Sequence, residues 1–289
     1  MKTINIFILT MLCSIGTLNA ATHIYNVKNF NALKSSVAVI VNYSQGRHYA
    51  MKVEGSEEQL SRLEVVVNDN TLILRDKRKA KAWKGRVNVT LTAPHLNSIS
   101  NSGTLIFKAK ACRDGMFNIK NSGVLQLNIT AVNCQQMNVN NSGSAQLMCN
   151  VKANGNIMVK NSGSLKVNGN MNSSAAFIQS NSGSMKMMCN AIASQFDSKN
   201  SGSLKIEQQI DAATMNMKNS GSCSGTLSYK GRAAVMQNSG HGKLGVTVDC
   251  EELSASTSGM FQMSIKGTAD KTNIKSTGIS KIDVSQLNK

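Results

Sequence analysis

The sequence predicts an all-β chain, a right-handed parallel β-helix wound as a single-stranded solenoid behind an N-terminal β-rich cap. Three observations carry this. First, the tripeptide Asn-Ser-Gly begins at Asn101, Asn121, Asn141, Asn161 and Asn181, a step of 20 residues, and then at Asn200, Asn219 and Asn238, a step of 19. Two degraded copies, Thr257-Ser258-Gly259 and Ser276-Thr277-Gly278, keep the shorter step. Second, the residues beside each triplet alternate, with one apolar face as in a half-buried strand. Leu105 and Phe107, Leu165 and Val167, and Leu204 and Ile206 follow a glycine; Phe117 and Ile119, and Ile157 and Val159, precede an asparagine. Third, aromatic residues are 4% of the 289 and the one proline is Pro94. That composition suits a thin core of Leu, Ile, Val, Met and Ala.

The chain starts with a basic residue, Lys2, an apolar run from Ile4 to Leu18 and the small residues Ala20 and Ala21. Residues 1–20 read as a secretory signal peptide, too short to span a membrane. Leu12 before Cys13 argues against a lipid anchor, and no second apolar span follows. The expected address is exported: periplasm, cell surface or secreted.

Residues 21–100 lack the triplet and read as a β-rich capping region over the first coil. Strand-like runs cover Ser36 to Asn42, Tyr49 to Glu54, Leu63 to Val67, Thr71 to Arg75 and Arg86 to Thr92. Asn68-Asp69-Asn70 marks a hairpin turn, and Glu57 to Arg62 a short helical turn. Between two of the runs lies the densest basic stretch, with Lys77, Arg78, Lys79, Lys81, Trp83 and Lys84. It is a contact loop for an anionic surface, with Trp83 as anchor, or a solvated hairpin tip.

Residues 101–289 form the repeat domain. Each triplet is a corner between two strands, and Asn121, Gly123, Asn141, Gly143, Asn161, Gly163, Asn181 and Gly183 are its structural residues. Glycine suits the bend because it tolerates positive φ. Asparagine stacks on its copies, amide to amide. Coils about 4.8 Å apart make a rod of roughly 43 Å over nine steps. The corner serines are not nucleophiles, since no His or acid repeats beside them. A leucine-rich horseshoe is the competing solenoid, but its Leu-x-x-Leu-x-Leu spacing is missing.

The formal charge is +17. Such a balance favours anionic partners. Much of it is periodic: Lys166, Lys186, Lys205, Lys243 and Lys281 share the outward slot after the glycine. Lys120, Lys160, Lys199, Lys218 and Lys275 share the slot before the asparagine. These two rows bind anions or guard exposed strands against edge pairing.

Six cysteines remain after residue 20. Their spacing argues for buried free thiols: Cys149 and Cys189 share a slot but lie about 9.6 Å apart by strand stacking. No zinc motif is present, and no cofactor is expected. The 16 methionines read as core filler, with Met187-Met188-Cys189 the one place to inspect for soft metals. Acids such as Asp197, Glu207, Asp211, Asp249, Glu251 and Glu252 are scattered, so a carboxylate-pair glycosidase is not expected.

The order of the segments carries a resemblance. Ser44-Gln45-Gly46, the strand end Val53-Glu54-Gly55, Asn70-Thr71-Leu72-Ile73-Leu74 and Val89-Thr90-Leu91-Thr92-Ala93-Pro94 lead into the Asn-Ser-Gly ladder. Over nearly all of the mature chain this is similar to the auto-transporter adhesin head family, the head GIN domain. The resemblance implies an exported β-solenoid with a β-rich cap, and the family name implies adhesion. This chain differs in lacking a translocator barrel and in being very basic. The expected function is a non-enzymatic binding or adhesion protein contacting acidic polysaccharide or a lipid surface. The alternative is a passive structural envelope protein. No specific nucleic acid and no integral membrane span are expected.

Overall fold

A computed structural model describes residues 9–10, 21–78 and 82–288. The signal-peptide reading falls almost wholly outside them, as do Lys79 and Lys81. The N-terminal part holds β1 (Leu9–Thr10), β2 (Ala21–Tyr25), β3 (Ala32–Ser35), β4 (Ala38–Gln45), β5 (Ala50–Gly55), α1 (Glu57–Arg62), β6 (Leu63–Asn68), β7 (Thr71–Asp76), β8 (Val87–Ala93) and β9 (Ser98–Asn101). The ladder follows as β10 (Thr104–Asn121), β11 (Val124–Asn141), β12 (Ser144–Ala153), β13 (Ile157–Asn161), β14 (Ser164–Ser173), β15 (Ala176–Asn181), β16 (Ser184–Asn200), β17 (Ser203–Asn219), β18 (Ser222–Asn238), β19 (His241–Thr257), β20 (Met260–Ser276) and β21 (Lys281–Asn288).

The ladder is a parallel β-solenoid. Leu105 registers with Leu125, Leu125 with Ala145, Ala145 with Leu165, and so on through Met185, Leu204 and Cys223. Each position therefore forms a file running up the stack. A second buried file runs Phe117, Met137, Ile157, Phe177, Phe196, Met215, Ala234 and Leu253. Phe177 and Phe196 meet edge to face at 5.4 Å. Burying each large member contributes about 1.5–3 kcal/mol. The sequence suggests two strands per coil. In most coils hydrogen bonding instead runs unbroken from one triplet to the next, and the chain bends without leaving the sheet.

The corners show why the triplet recurs. Each asparagine is buried: Asn121, for example, is 3% exposed. Its Nδ2 donates to Asn141 Oδ1 at 2.8 Å, to Gly123 O at 3.0 Å and to Ser144 O at 3.0 Å. The glycine reason differs from the expected one. The Asn-Ser-Gly glycines are not among those in the left-handed φ region; of the degraded copies only Gly278 is. They are needed because stacked corners touch: a Cβ on Gly163 would sit 2.1 Å from the carbonyl oxygen of Gly143.

Below the first triplet the order changes. β3 and β4 form a rung of the same stack, since β3 pairs in parallel with β9 and β4 with β10. On their other side β3 pairs with β7 and β4 with β8. The rung made later in sequence thus lies outside the earlier one. Antiparallel β6 on β7, and β5 between β8 and β2, cover that end. Asp69 and Asn70 both have positive φ, as a tight two-residue hairpin requires. Ser56 starts α1 with a reciprocal capping box to Gln59.

Candidate functional site: the corner groove

The corner files line a groove that follows the stack and has a volume of about 1070 Å³. Three files make it. The buried asparagines form the floor. The exposed serines at the centre of each triplet, Ser102 through Ser258, form one side. The residues just before each asparagine form the other: Lys34, Ser100, Lys120, Asn140, Lys160, Ser180, Lys199, Lys218, Gln237 and Ser256. Strand alternation puts floor and wall on opposite faces of the same strand end.

The groove carries one sign of charge. Five lysines line it and no Asp or Glu does. Among the described residues none of Lys34, Lys120, Lys160, Lys199 and Lys218 makes an ion pair. Elsewhere lysines are partly neutralised, as in Lys186–Glu207 at 3.7 Å, Lys230–Asp249 at 3.5 Å and Lys271–Glu252 at 3.5 Å. The serine hydroxyls of Ser122, Ser142, Ser162, Ser182, Ser201 and Ser220 donate back to the asparagine carbonyl of the rung below, at 3.3–3.5 Å. Their lone pairs are left to face the groove as acceptors.

Of the two lysine rows read from sequence, both exist as files. Lys166, Lys186 and Lys205 are in register, but on a face outside the groove. In the row before the asparagine, Lys120, Lys160, Lys199 and Lys218 are inside, and Lys275 is not. Lys34, which the triplet spacing did not reveal, extends it because it registers with Ser100.

The basic stretch leaves the stack at the corner of the outermost rung. Ser35, the corner residue of the next rung, registers with Leu74 on one side and Asn101 on the other. The segment after Asp76 therefore departs from the end of the corner line. It is tied down by Lys77 Nζ to Ser61 O at 3.1 Å and by Gln59 Nε2 to Lys84 O at 2.9 Å. Arg78 and Lys84 are exposed. Trp83 is half-buried against the core, with the Arg62 guanidinium 5.5 Å from its ring centre. Arg62 also pairs with Asp76 and holds that carboxyl below its ordinary range.

Met187 and Cys189 point into the core and Met188 does not, so these three do not converge. Among the described residues no group of three or more His, Cys, Asp or Glu could hold a metal. The six thiols are free and buried, and burial pushes Cys149 up to about 12. One pair escaped the sequence reading: exposed His95 Nδ1 lies 2.8 Å from buried Asp114, which also accepts the Leu96 N–H. Their separation of 19 residues is one short of the 20-residue step that pairs β9 with β10, so the two stand on adjacent rungs one position out of register.

Residues 29–156 match the model of the family described as "Putative auto-transporter adhesin, head GIN domain". The match ends inside the ladder, short of the near-complete coverage expected from sequence, while the rungs continue to β21. A "putative adhesin" from Bacteroides fragilis is 19% identical, with 93% of this chain and 98% of that one covered at a TM-score of 0.43. A "putative adhesin" from Parabacteroides merdae is 17% identical, covering 93% and 97% at 0.42. A "putative lipid binding protein" from Parabacteroides distasonis is 16% identical, covering 92% and 96% at 0.43. No curated protein matches. The head GIN description and the solenoid fold support an adhesion-type protein. Among the described residues no helix is long and apolar enough to cross a membrane.

Proposed function

We propose that this chain is an exported adhesion-type protein whose corner groove holds an extended anionic chain, an acidic polysaccharide. The observation that supports this is the groove's charge: five lysines along a concave track, with no acid lining it and no ion pair to them among the described residues. Like charges held in file repel, so a polyanion that neutralises them binds with release of its counterions. The concavity favours a linear polymer over a bilayer, because a flat surface cannot follow the lysines inward. Repeated weak contacts along the track add by multivalency. Lys77, Arg78 and Lys84 lie at the end of the corner line and extend the positive surface there; Lys79 and Lys81, outside the described residues, belong to the same basic stretch of sequence.

The test is retention of the purified protein on immobilised acidic polysaccharide, neutral dextran and anionic vesicles across a salt series. Retention on the acidic polymer alone, falling with salt, is the expected result. Changing Lys120, Lys160, Lys199 and Lys218 to Gln should lower the slope of log affinity against log salt by roughly 3. Replacing Lys77, Lys79, Lys81 and Trp83 by Ala should weaken binding less. No retention at low salt, or a groove variant that binds like the parent, rejects the proposal.

A further inference from the structure

The lysines are not spread evenly along the groove wall. Counting rungs from β3, they fall at Lys34, Lys120, Lys160 and Lys199, every second rung, with a neutral Ser or Asn at each rung between. Lys218 then follows on the rung directly after Lys199. At about 4.8 Å per rung the alternating lysines are about 9.6 Å apart along the backbone. The serine on the opposite side has no such alternation: it recurs at each triplet from Ser102 to Ser258, and from Ser122 to Ser220 it is pinned to a backbone carbonyl and presents acceptor lone pairs. One side of the track thus repeats once per rung and the other once per two rungs.

We infer that the groove is matched to a polysaccharide carrying its acid on alternate sugars. This rests on the groove reading above and deepens it. An extended, equatorially linked pyranose chain advances by roughly one rung per sugar. Every sugar offers hydroxyl donors to a serine oxygen, while a carboxylate on each second sugar meets each lysine. A polyanion whose charges follow one another more closely than every second rung leaves many of them against neutral Ser or Asn. Those charges still attract counterions and lysines at long range but lack a paired contact. Charge density and charge register therefore predict opposite preferences. Counterion release alone favours the denser polymer.

The experiment uses the full chain and three probes: hyaluronate, with a carboxylate on alternate sugars; polyacrylate, with one on every second backbone carbon; and inorganic polyphosphate, a flexible polyanion. Binding is measured per charge at fixed salt. The key variant is the double substitution Asn140→Lys with Lys160→Asn, which keeps net charge but moves one lysine by one rung. Both positions are exposed, so unchanged thermal unfolding is the control. The expected result is tighter binding of hyaluronate than of polyacrylate. The double variant should lose that preference severalfold while holding polyphosphate as the parent does. Polyacrylate bound in proportion to its charge, with parent and variant alike, overturns the register and leaves the groove reading standing. No binding of any of the three polymers, or retention on anionic vesicles only, overturns both.

Discussion

The ladder from Asn101 to Asn238 and the rungs beneath it build the same corner from different residues. In the ladder, each corner is Asn-Ser-Gly, and the buried amide, the backbone and the missing Cβ together let successive corners touch. In the rung below the ladder the corner is Ser35-Ser36-Val37, where, among the described residues, the Ser35 side chain donates only to Val37 O at 3.3 Å. Stacked strands form in both places, so the triplet is not what makes a rung. It is what allows rungs to repeat at close approach along an uninterrupted line, and so what makes a continuous groove.

The comparison is broken most severely at a ladder glycine. Gly163→Ala should destabilise by about 3 kcal/mol, because the new Cβ meets the backbone of the rung below. Gly46→Ala, near the lower rungs, meets the Thr92 γ-methyl at 2.8 Å rather than backbone and should cost about 1 kcal/mol. Urea unfolding midpoints of the two variants decide it, and equal losses contradict the close-approach account. Next in size is Asn161→Ala, expected to cost about 2 kcal/mol by leaving buried amide groups of Asn141 and Asn181 without their partner. Ser35→Ala should cost about half as much.

A gain is expected at the upper end of the ladder. Asn219 donates to Asn238, but Asn238 Nδ2 is buried without a partner because Thr257 occupies the next corner. Thr257→Asn supplies the missing acceptor and should stabilise by about 1 kcal/mol, less whatever the Thr257 hydroxyl bonds to Ser276 and Ser280 contribute. Calorimetry showing no rise in the transition would mean the amide column adds little beyond its backbone.

The smallest effect at neutral pH concerns the thiols. All six are raised above the ordinary 9.0, Cys112, Cys149 and Cys223 to about 12, chiefly by burial. The folded chain keeps protons that the unfolded chain releases. Their contribution is complete below about pH 9 and declines as pH rises from there towards 12. A thiol reagent at pH 8 should label none of the six before urea unfolds the protein. Rapid labelling in native buffer would place a thiol at the surface.

The solenoid was legible because one tripeptide recurs at a fixed step and the flanking residues alternate. The same step foretold both lysine files and the buried cysteines. What could not be read was which file faces a concavity, since alternation tells inside from outside but not the sense of a bend. Lys34 was missed because its rung has no triplet, and only the pairing of β3 with β9 aligns it with Ser100. His95 and Asp114 were missed because neither belongs to a motif and their separation of 19 residues is one off the local step of 20.

The transposed rungs at the N-terminal end bear on how the molecule is made. The course formed by β7 and β8 is synthesised after the one it underlies, so the earliest strands cannot settle until residue 93 has left the ribosome. That first event joins segments distant in sequence and is intrinsically slow. Every later turn needs only its predecessor as a template, so growth from there is local and quick. Assembly thus begins with a latch and continues as a zipper, and a chain halted before the latch closes has nothing on which to wind.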